Sequence, residues 1–75
     1  MVTLDQFLID FSQILVENEY LDAKSILKKL NSYDSLFVLE IIQFFDEKYS
    51  INLEIELINK STTIEDLYIN VFIKK

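Results

Sequence analysis

The chain contains no cysteine, no histidine, no glycine, no proline and no arginine. Without cysteine there is no disulfide framework and no thiol nucleophile of the protein's own. With histidine missing as well, thiolate and imidazole metal sites are excluded. The side chain most often used as a general base is gone too. Tight turns with positive φ lose glycine, their usual residue, so an all-β domain built from many hairpins does not fit this composition. The lack of arginine, together with a net charge of −6, argues against nucleic-acid binding, which requires a basic footprint. No apolar run approaches the length of a membrane span, and the N-terminus lacks the basic and apolar regions of a signal peptide. A cytoplasmic protein is expected.

What is present is a single domain, residues 1–75, near the size at which one hydrophobic core only just holds together. Hydrophobic residues make up 51% of it, too many for a disordered chain. Carboxylates are the main catalytic groups left. A self-sufficient enzyme is therefore not expected, and any reactive group would have to be imported.

Helical periodicity dominates. Thr3 and Gln6 have the spacing of a capping box, and Val2 and Phe7 that of a hydrophobic staple. Leu4, Phe7, Leu8, Phe11, Ile14 and Leu15 then recur on one face, predicting a first helix from Leu4 to Glu17. Asn18 to Tyr33 reads as a long connection pinned to the core by Ile26, Leu27 and Leu30 and kept solvated by Lys24, Lys28 and Lys29. A second helix is predicted from Asp34 or Ser35 to Tyr49, with Asp34 as N-cap. Its expected apolar stripe is Leu36, Leu39, Ile42, Phe45 and Tyr49, widened by Val38, Ile41 and Phe44, with Glu40, Gln43, Asp46 and Glu47 facing water.

Ile51, Leu53, Ile55 and Leu57 alternate as a strand would, but a lone strand has no pairing partner. A loop and a short helix over Ile55 to Asn59 is the expectation. Thr62 and Glu65 suggest a capping box for a last helix whose apolar face is Ile64, Leu67, Tyr68, Val71 and Phe72. Lys74 and Lys75 suit the negative end of its dipole. The expected fold is all-α, a four-helix bundle with three main helices and one short helix before the last.

Charge is unevenly spread. Asp34 to Asp66 carries eight acids and two lysines, whereas the remaining residues hold five of each. The whole excess thus belongs to the second helix and the segment between it and Asp66.

Tyr33-Asp34-Ser35-Leu36 is the candidate site. Ser35 opens a predicted helix after a long loop, where free backbone N–H groups and the positive end of the dipole favour an attached phosphate. With no histidine to activate it, Ser35 is a weak nucleophile and reads as an acceptor of modification. Read alone, the tripeptide Asp34-Ser35-Leu36 favours an ordinary cap followed by a tolerated first-turn serine.

Together with helix order and chain length, these residues resemble the acyl carrier protein family, including its peptidyl carrier relatives. The resemblance lies in Asp34-Ser35-Leu36, in Glu40 five residues after the serine, in the pair Asp46-Glu47 and Tyr49, and in Ser61-Thr62-Thr63-Ile64 at the entry to the last helix. It implies a four-helix acyl-carrier-like bundle in which a phosphopantetheinyl transferase moves 4'-phosphopantetheine from coenzyme A onto Ser35, with Asp34 and Leu36 beside it. The arm's thiol then holds cargo as a thioester. It also implies docking of partner enzymes on Glu40, Asp46 and Glu47: a loading enzyme and a downstream synthase or transferase.

Two departures shape the expectation. Asn31, Ser32 and Tyr33 precede Asp34, where the family often has a small residue such as glycine. Phe37 stands where fatty-acid carriers commonly have an acid, and is expected to be exposed as an apolar docking contact. Both favour a specialised pathway (surface-glycan modification, a polyketide, or an amino acid loaded by an adenylating enzyme) over housekeeping fatty-acid synthesis. Phe37, Ile41 and Phe44 are each open to three roles, as a cargo tunnel, a partner contact or core, with core expected for Ile41 and Phe44. Tyr33 shields the arm or covers the loop. The expectation is thus a monomeric carrier that is not itself an enzyme, bearing acyl or, alternatively, aminoacyl cargo. The rivals are an unmodified helical interaction module and a carboxylate-only enzyme.

Overall fold

The computed structural model describes residues 2–16 and 19–74. Among them the protein is all-α. Helix α1 spans Leu4–Ser12, α2 Ser35–Tyr49, α3 Ile55–Lys60 and α4 Ile64–Tyr68. A 3-10 turn at Leu27–Lys29 interrupts the long connection, and α4 runs on into a π-helical turn, Ile69–Ile73. No helix among the described residues is long and apolar enough to cross a membrane.

Each helix starts for a visible reason. Thr3 Oγ1 accepts the Gln6 N–H at 3.1 Å and caps α1. The reciprocal half of the expected box is absent, because Gln6 Nε2 donates to Asp10 Oδ1 instead, at 2.9 Å. Helix α1 is shorter than predicted. Ser12 Oγ takes the Ile9 carbonyl at 2.7 Å, competing with the helical ladder. The next turns close on i+3 bonds, and Ser32 Oγ claims the Val16 N–H at 2.8 Å. Glu17, the predicted end of the helix, and Asn18, the predicted start of the connection, lie outside the described residues, as does Lys75.

The α4 capping box is one residue later than expected. Thr63 and Asp66 exchange N–H bonds at 3.0 and 3.1 Å, in place of Thr62 and Glu65. The cause is tertiary. Leu27 N–H holds the Thr62 carbonyl at 2.9 Å and Ile64 N–H holds the Ser25 carbonyl at 3.0 Å, so the connection pairs briefly with the approach to α4. Leu27 and Leu30 are buried as predicted. Ile26 is not: it is 39% exposed and contributes through its backbone.

The core is aromatic. Phe7 is fully buried, and its ring lies 5.6–6.3 Å from those of Phe11, Phe44, Phe45, Tyr49, Tyr68 and Phe72. Burying one such side chain is worth roughly 1.5–3 kcal/mol, and favourable ring pairs add about 0.5–1.5 kcal/mol. The inward face of α2 is Phe37, Ile41, Phe44 and Phe45, an i, i+4, i+7, i+8 set. Leu36 and Leu39, predicted to be inward, are 67% and 61% exposed. Both stripes of this helix are apolar, and the one carrying rings that reach Phe11 is the one buried.

A carboxylate of α1 is buried against α2. Asp10, 8% exposed, accepts the Tyr49 phenol at 2.8 Å as well as the Gln6 amide. Burial first, then the Asp10 hydrogen bond and charge, push the Tyr49 pKa well above its ordinary 10.0. Helix α2 ends at Ser50, which holds the left-handed conformation (φ 57°, ψ 38°) usually given to glycine.

Two stability outcomes are expected. Ser50→Gly removes the left-handed penalty and should raise stability by about 0.5–1 kcal/mol in urea unfolding. Tyr49→Phe should cost about 1–3 kcal/mol at neutral pH, since Asp10 loses a donor while buried. The folded Tyr49 pKa exceeds the unfolded one, so its contribution is whole below pH 10 and is lost as pH rises through the folded value. The stability gap between parent and Tyr49→Phe should therefore narrow above pH 10; a gap that stays constant would rule out this role for the phenol.

Candidate functional site

Asp34 is fully extended (φ −156°, ψ −175°), and its Oδ1 accepts the Phe37 N–H at 2.8 Å. Its carbonyl receives the Phe37 and Val38 N–H groups, at 3.1 and 3.3 Å. Asp34 is thus the N-cap foreseen from sequence, and Ser35 is the first residue of a 15-residue helix. Ser35 is exposed. Among the described residues no protein group accepts the N–H of Ser35 or Leu36, as expected for a first helical turn. An exposed hydroxyl therefore stands beside unpaired donors at the positive end of the dipole, a setting that favours an anionic substituent.

The loop before the serine is tied by hydrogen bonds. Glu19 reaches across the connection to accept the N–H groups of Asn31 and Ser32, and the Ser32 hydroxyl at 2.7 Å. These bonds, the Ser32 hydroxyl first, hold the Glu19 carboxyl below its ordinary pKa. Tyr33 N–H closes a turn on the Leu30 carbonyl at 3.0 Å. The half-buried Tyr33 ring lies edge-on to Phe37 at 6.3 Å.

The exposed face of α2 gathers most of the residues predicted for the site. At 100° per residue, Ser35, Leu36, Leu39, Glu40, Gln43, Asp46 and Glu47 fall on one side. Apart from the half-buried stretch at its edges, this side is turned to solvent, with Ser35, Leu36, Leu39, Glu40, Asp46 and Glu47 all exposed. The face is apolar near Ser35 and acidic toward its far end, where Gln43 Nε2 donates to Glu47 Oε2 at 3.2 Å. Between it and the end of α1 runs an open groove of about 500 Å³, lined by Gln13, Ile14, Glu40, Gln43, Phe44, Glu47 and Lys48.

Phe37 does not belong to this surface. Predicted as an exposed docking contact, it is 2% exposed and packs at right angles on Phe11, 6.2 Å between centroids. One helical step carries its ring about 100° from Leu36, into the core. The exposed apolar contacts beside Ser35 are Leu36 and Leu39. Ile41 and Phe44 are core, as expected. Sequence reasoning missed Glu19, whose clamp joins residues twelve and thirteen positions apart. It also missed Asp10, although an acid at the i+3 position from Phe7, on the apolar face of α1, was a legible signal.

Leu36→Ser and Leu39→Ser should each shift stability by no more than about 0.5 kcal/mol, whereas Phe37→Ala should cost about 3–5 kcal/mol. Urea unfolding of the three variants measures this, and equal costs at Leu36 and Phe37 would contradict the orientation of α2. No protein-family model matches the chain, nor does any curated protein or solved structure.

Proposed function

We propose that this chain is a carrier protein, modified on Ser35 with 4'-phosphopantetheine, which takes acyl or aminoacyl groups from one enzyme to another. The observation that carries the reading is the exposed Ser35 hydroxyl at the head of a long helix, capped by Asp34 and held on a clamped loop. The residue pattern from Asp34 to Leu36 and on through Tyr49, similar to that of carrier proteins, adds to it.

The residues fit the group. A phosphodiester on Ser35 would find the unpaired first-turn N–H groups beside it, while the Asp34 carboxylate is occupied by Phe37 N–H. In the modification, Ser35 Oγ attacks the pantetheine-bearing phosphorus of coenzyme A. The new P–O bond forms as the bond to the leaving adenosine 3',5'-bisphosphate breaks. The hydroxyl proton passes to a base of the transferase, because this chain has no histidine to take it. Once attached, the arm supplies the thiol that the polypeptide lacks.

Leu36 and Leu39 offer partners an apolar contact next to the serine, and Glu40, Asp46 and Glu47 extend it with negative charge. A basic partner surface is steered to such a face, with a rate that falls as salt rises. The chain itself performs no catalysis in this reading, and works as a cytoplasmic monomer in a specialised pathway.

The test is intact mass after incubation with coenzyme A and a promiscuous phosphopantetheinyl transferase, with Ser35→Ala as control. One added phosphopantetheine is expected in the parent and none in the variant. No gain with several active transferases would overturn the proposal. The exposed apolar-acidic face of α2 would then stand as the docking surface of an unmodified interaction module.

A further inference from the structure

On that carrier reading, we infer that Glu19 is a positioning residue for the modification: its carboxylate pre-orders the approach to Ser35, so that the transferase meets the serine already in place. The need for such a residue comes from the serine's surroundings. On its helical side Ser35 is fixed by the Asp34 cap and by Phe37, buried two residues later. On its other side the chain arrives through Asn31-Ser32-Tyr33, between the 3-10 turn and α2. Among the described residues these three make one main-chain bond, from Tyr33 N–H to the Leu30 carbonyl at 3.0 Å.

Glu19 supplies the rest. Its Oε2 accepts the Asn31 N–H, and its Oε1 accepts both the Ser32 N–H at 3.2 Å and the Ser32 hydroxyl at 2.7 Å. The same hydroxyl accepts the Val16 N–H at 2.8 Å. One carboxylate therefore joins the segment after α1, the start of the connection and the last residues before the serine. Hydrogen bonds to an ionised group are stronger than neutral ones, and this carboxyl, held below its ordinary 4.5, is charged at neutral pH. Asp22 makes a comparable set, but to Tyr20, Lys24 and Ser25, and leaves the approach to α2 untouched. Phosphoryl transfer needs the attacking hydroxyl close to phosphorus and in line with the leaving group. Without the clamp the approach samples other conformations, and only the fraction matching the bound form is competent. Apparent affinity falls by that fraction, while the complex, once formed, reacts as before. The signature belongs in KM and not in kcat.

The experiment follows modification by coenzyme A and a phosphopantetheinyl transferase, read by intact mass at varied carrier concentration. It compares the parent, Glu19→Ala, Ser32→Ala and the double variant, and adds amide hydrogen exchange of each. Expected in both single variants is a KM for the carrier raised about five- to tenfold, with kcat within about twofold of the parent. Exchange should quicken at Asn31 and stay unchanged at Phe45 in the core. The double variant should be no worse than Glu19→Ala, because both changes remove one clamp. Ser32→Ala keeps the Glu19 charge. A KM raised in Glu19→Ala alone would therefore assign the effect to lost attraction of a basic transferase and overturn the inference. Exchange quickened as much at Phe45 as at Asn31 would also overturn it, since the clamp would then hold the whole fold. A parent that takes up no phosphopantetheine removes the carrier reading and this inference with it. A modified parent whose KM is matched by both variants removes this inference alone.

Discussion

Phe7 is the residue around which this small protein is organised. A domain of this size buries only about 60% of the surface its unfolded chain exposes, so a few large side chains must supply most of the apolar burial. Here they are rings contributed by α1, α2, α4 and the π turn, which converge on Phe7. Helix α3 is only six residues long and adds Ile58 to the same core. The arrangement fixes the roll of α2 about its axis. Once Phe37, Phe44 and Phe45 face the rings of α1, then Leu36, Leu39 and the acids of that helix have nowhere to go but solvent.

The head of α2 is held from two directions. From below, Phe37 is locked between Phe11 and Tyr33. From the side, the connection is tied by backbone to the approach to α4 and by Glu19 to Ser32. The Lys24–Glu65 ion pair, 3.6 Å long and largely exposed, adds little. The Glu19 clamp has a pH sense. A carboxyl whose pKa is lowered in the fold from 4.5 stabilises the loop above that value and stops doing so as pH falls through the folded pKa. Asp22 acts likewise, its pKa lowered chiefly by the Tyr20 hydroxyl and further by bonds to Ser25 and Lys24. The acid response of the connection is therefore local, whereas the Asp10–Tyr49 bond between α1 and α2 responds at the alkaline end.

Sequence patterning is informative where a signal is local and fails where two local solutions compete. Asp34 as cap, the span of α2 and the short α3 come from propensity and polar punctuation. The roll of α2 does not. Leu36-Phe37-Val38-Leu39 is apolar at four consecutive positions, so its period admits two inward faces, and only the rings of α1 choose between them. The α4 box slips by one residue for a similar reason. Thr62-Thr63 followed by Glu65-Asp66 contains two overlapping boxes, and a backbone bond from Leu27 decides. The left-handed Ser50 shows a further limit. A chain without glycine still needs a residue with positive φ at the end of α2, and composition does not say which residue accepts the cost.

The burial of Phe37 carries a consequence for recognition. Had its ring been exposed, the surface around Ser35 would be a wide apolar patch, attractive to many partners and little affected by salt. With the ring inside, that surface narrows to Leu36 and Leu39, and the remaining exposed length of the face is polar or acidic. Apolar contact then acts only close to the serine, while charge acts over the roughly 18 Å from Ser35 to Glu47. These two terms do different work. On the proposed reading, the acids would set how fast a basic partner arrives and which orientation it adopts. The leucines contribute only once the partner reaches the serine, through the surface they remove from water. A partner that matches the charge but lacks an apolar recess at the right end is drawn in and released. On the proposed carrier reading, one that has both would be held with its active site over Ser35. Discrimination of this kind needs a fixed distance between the apolar and acidic ends of the face, which an aromatic core locking one roll of a single unbroken helix provides.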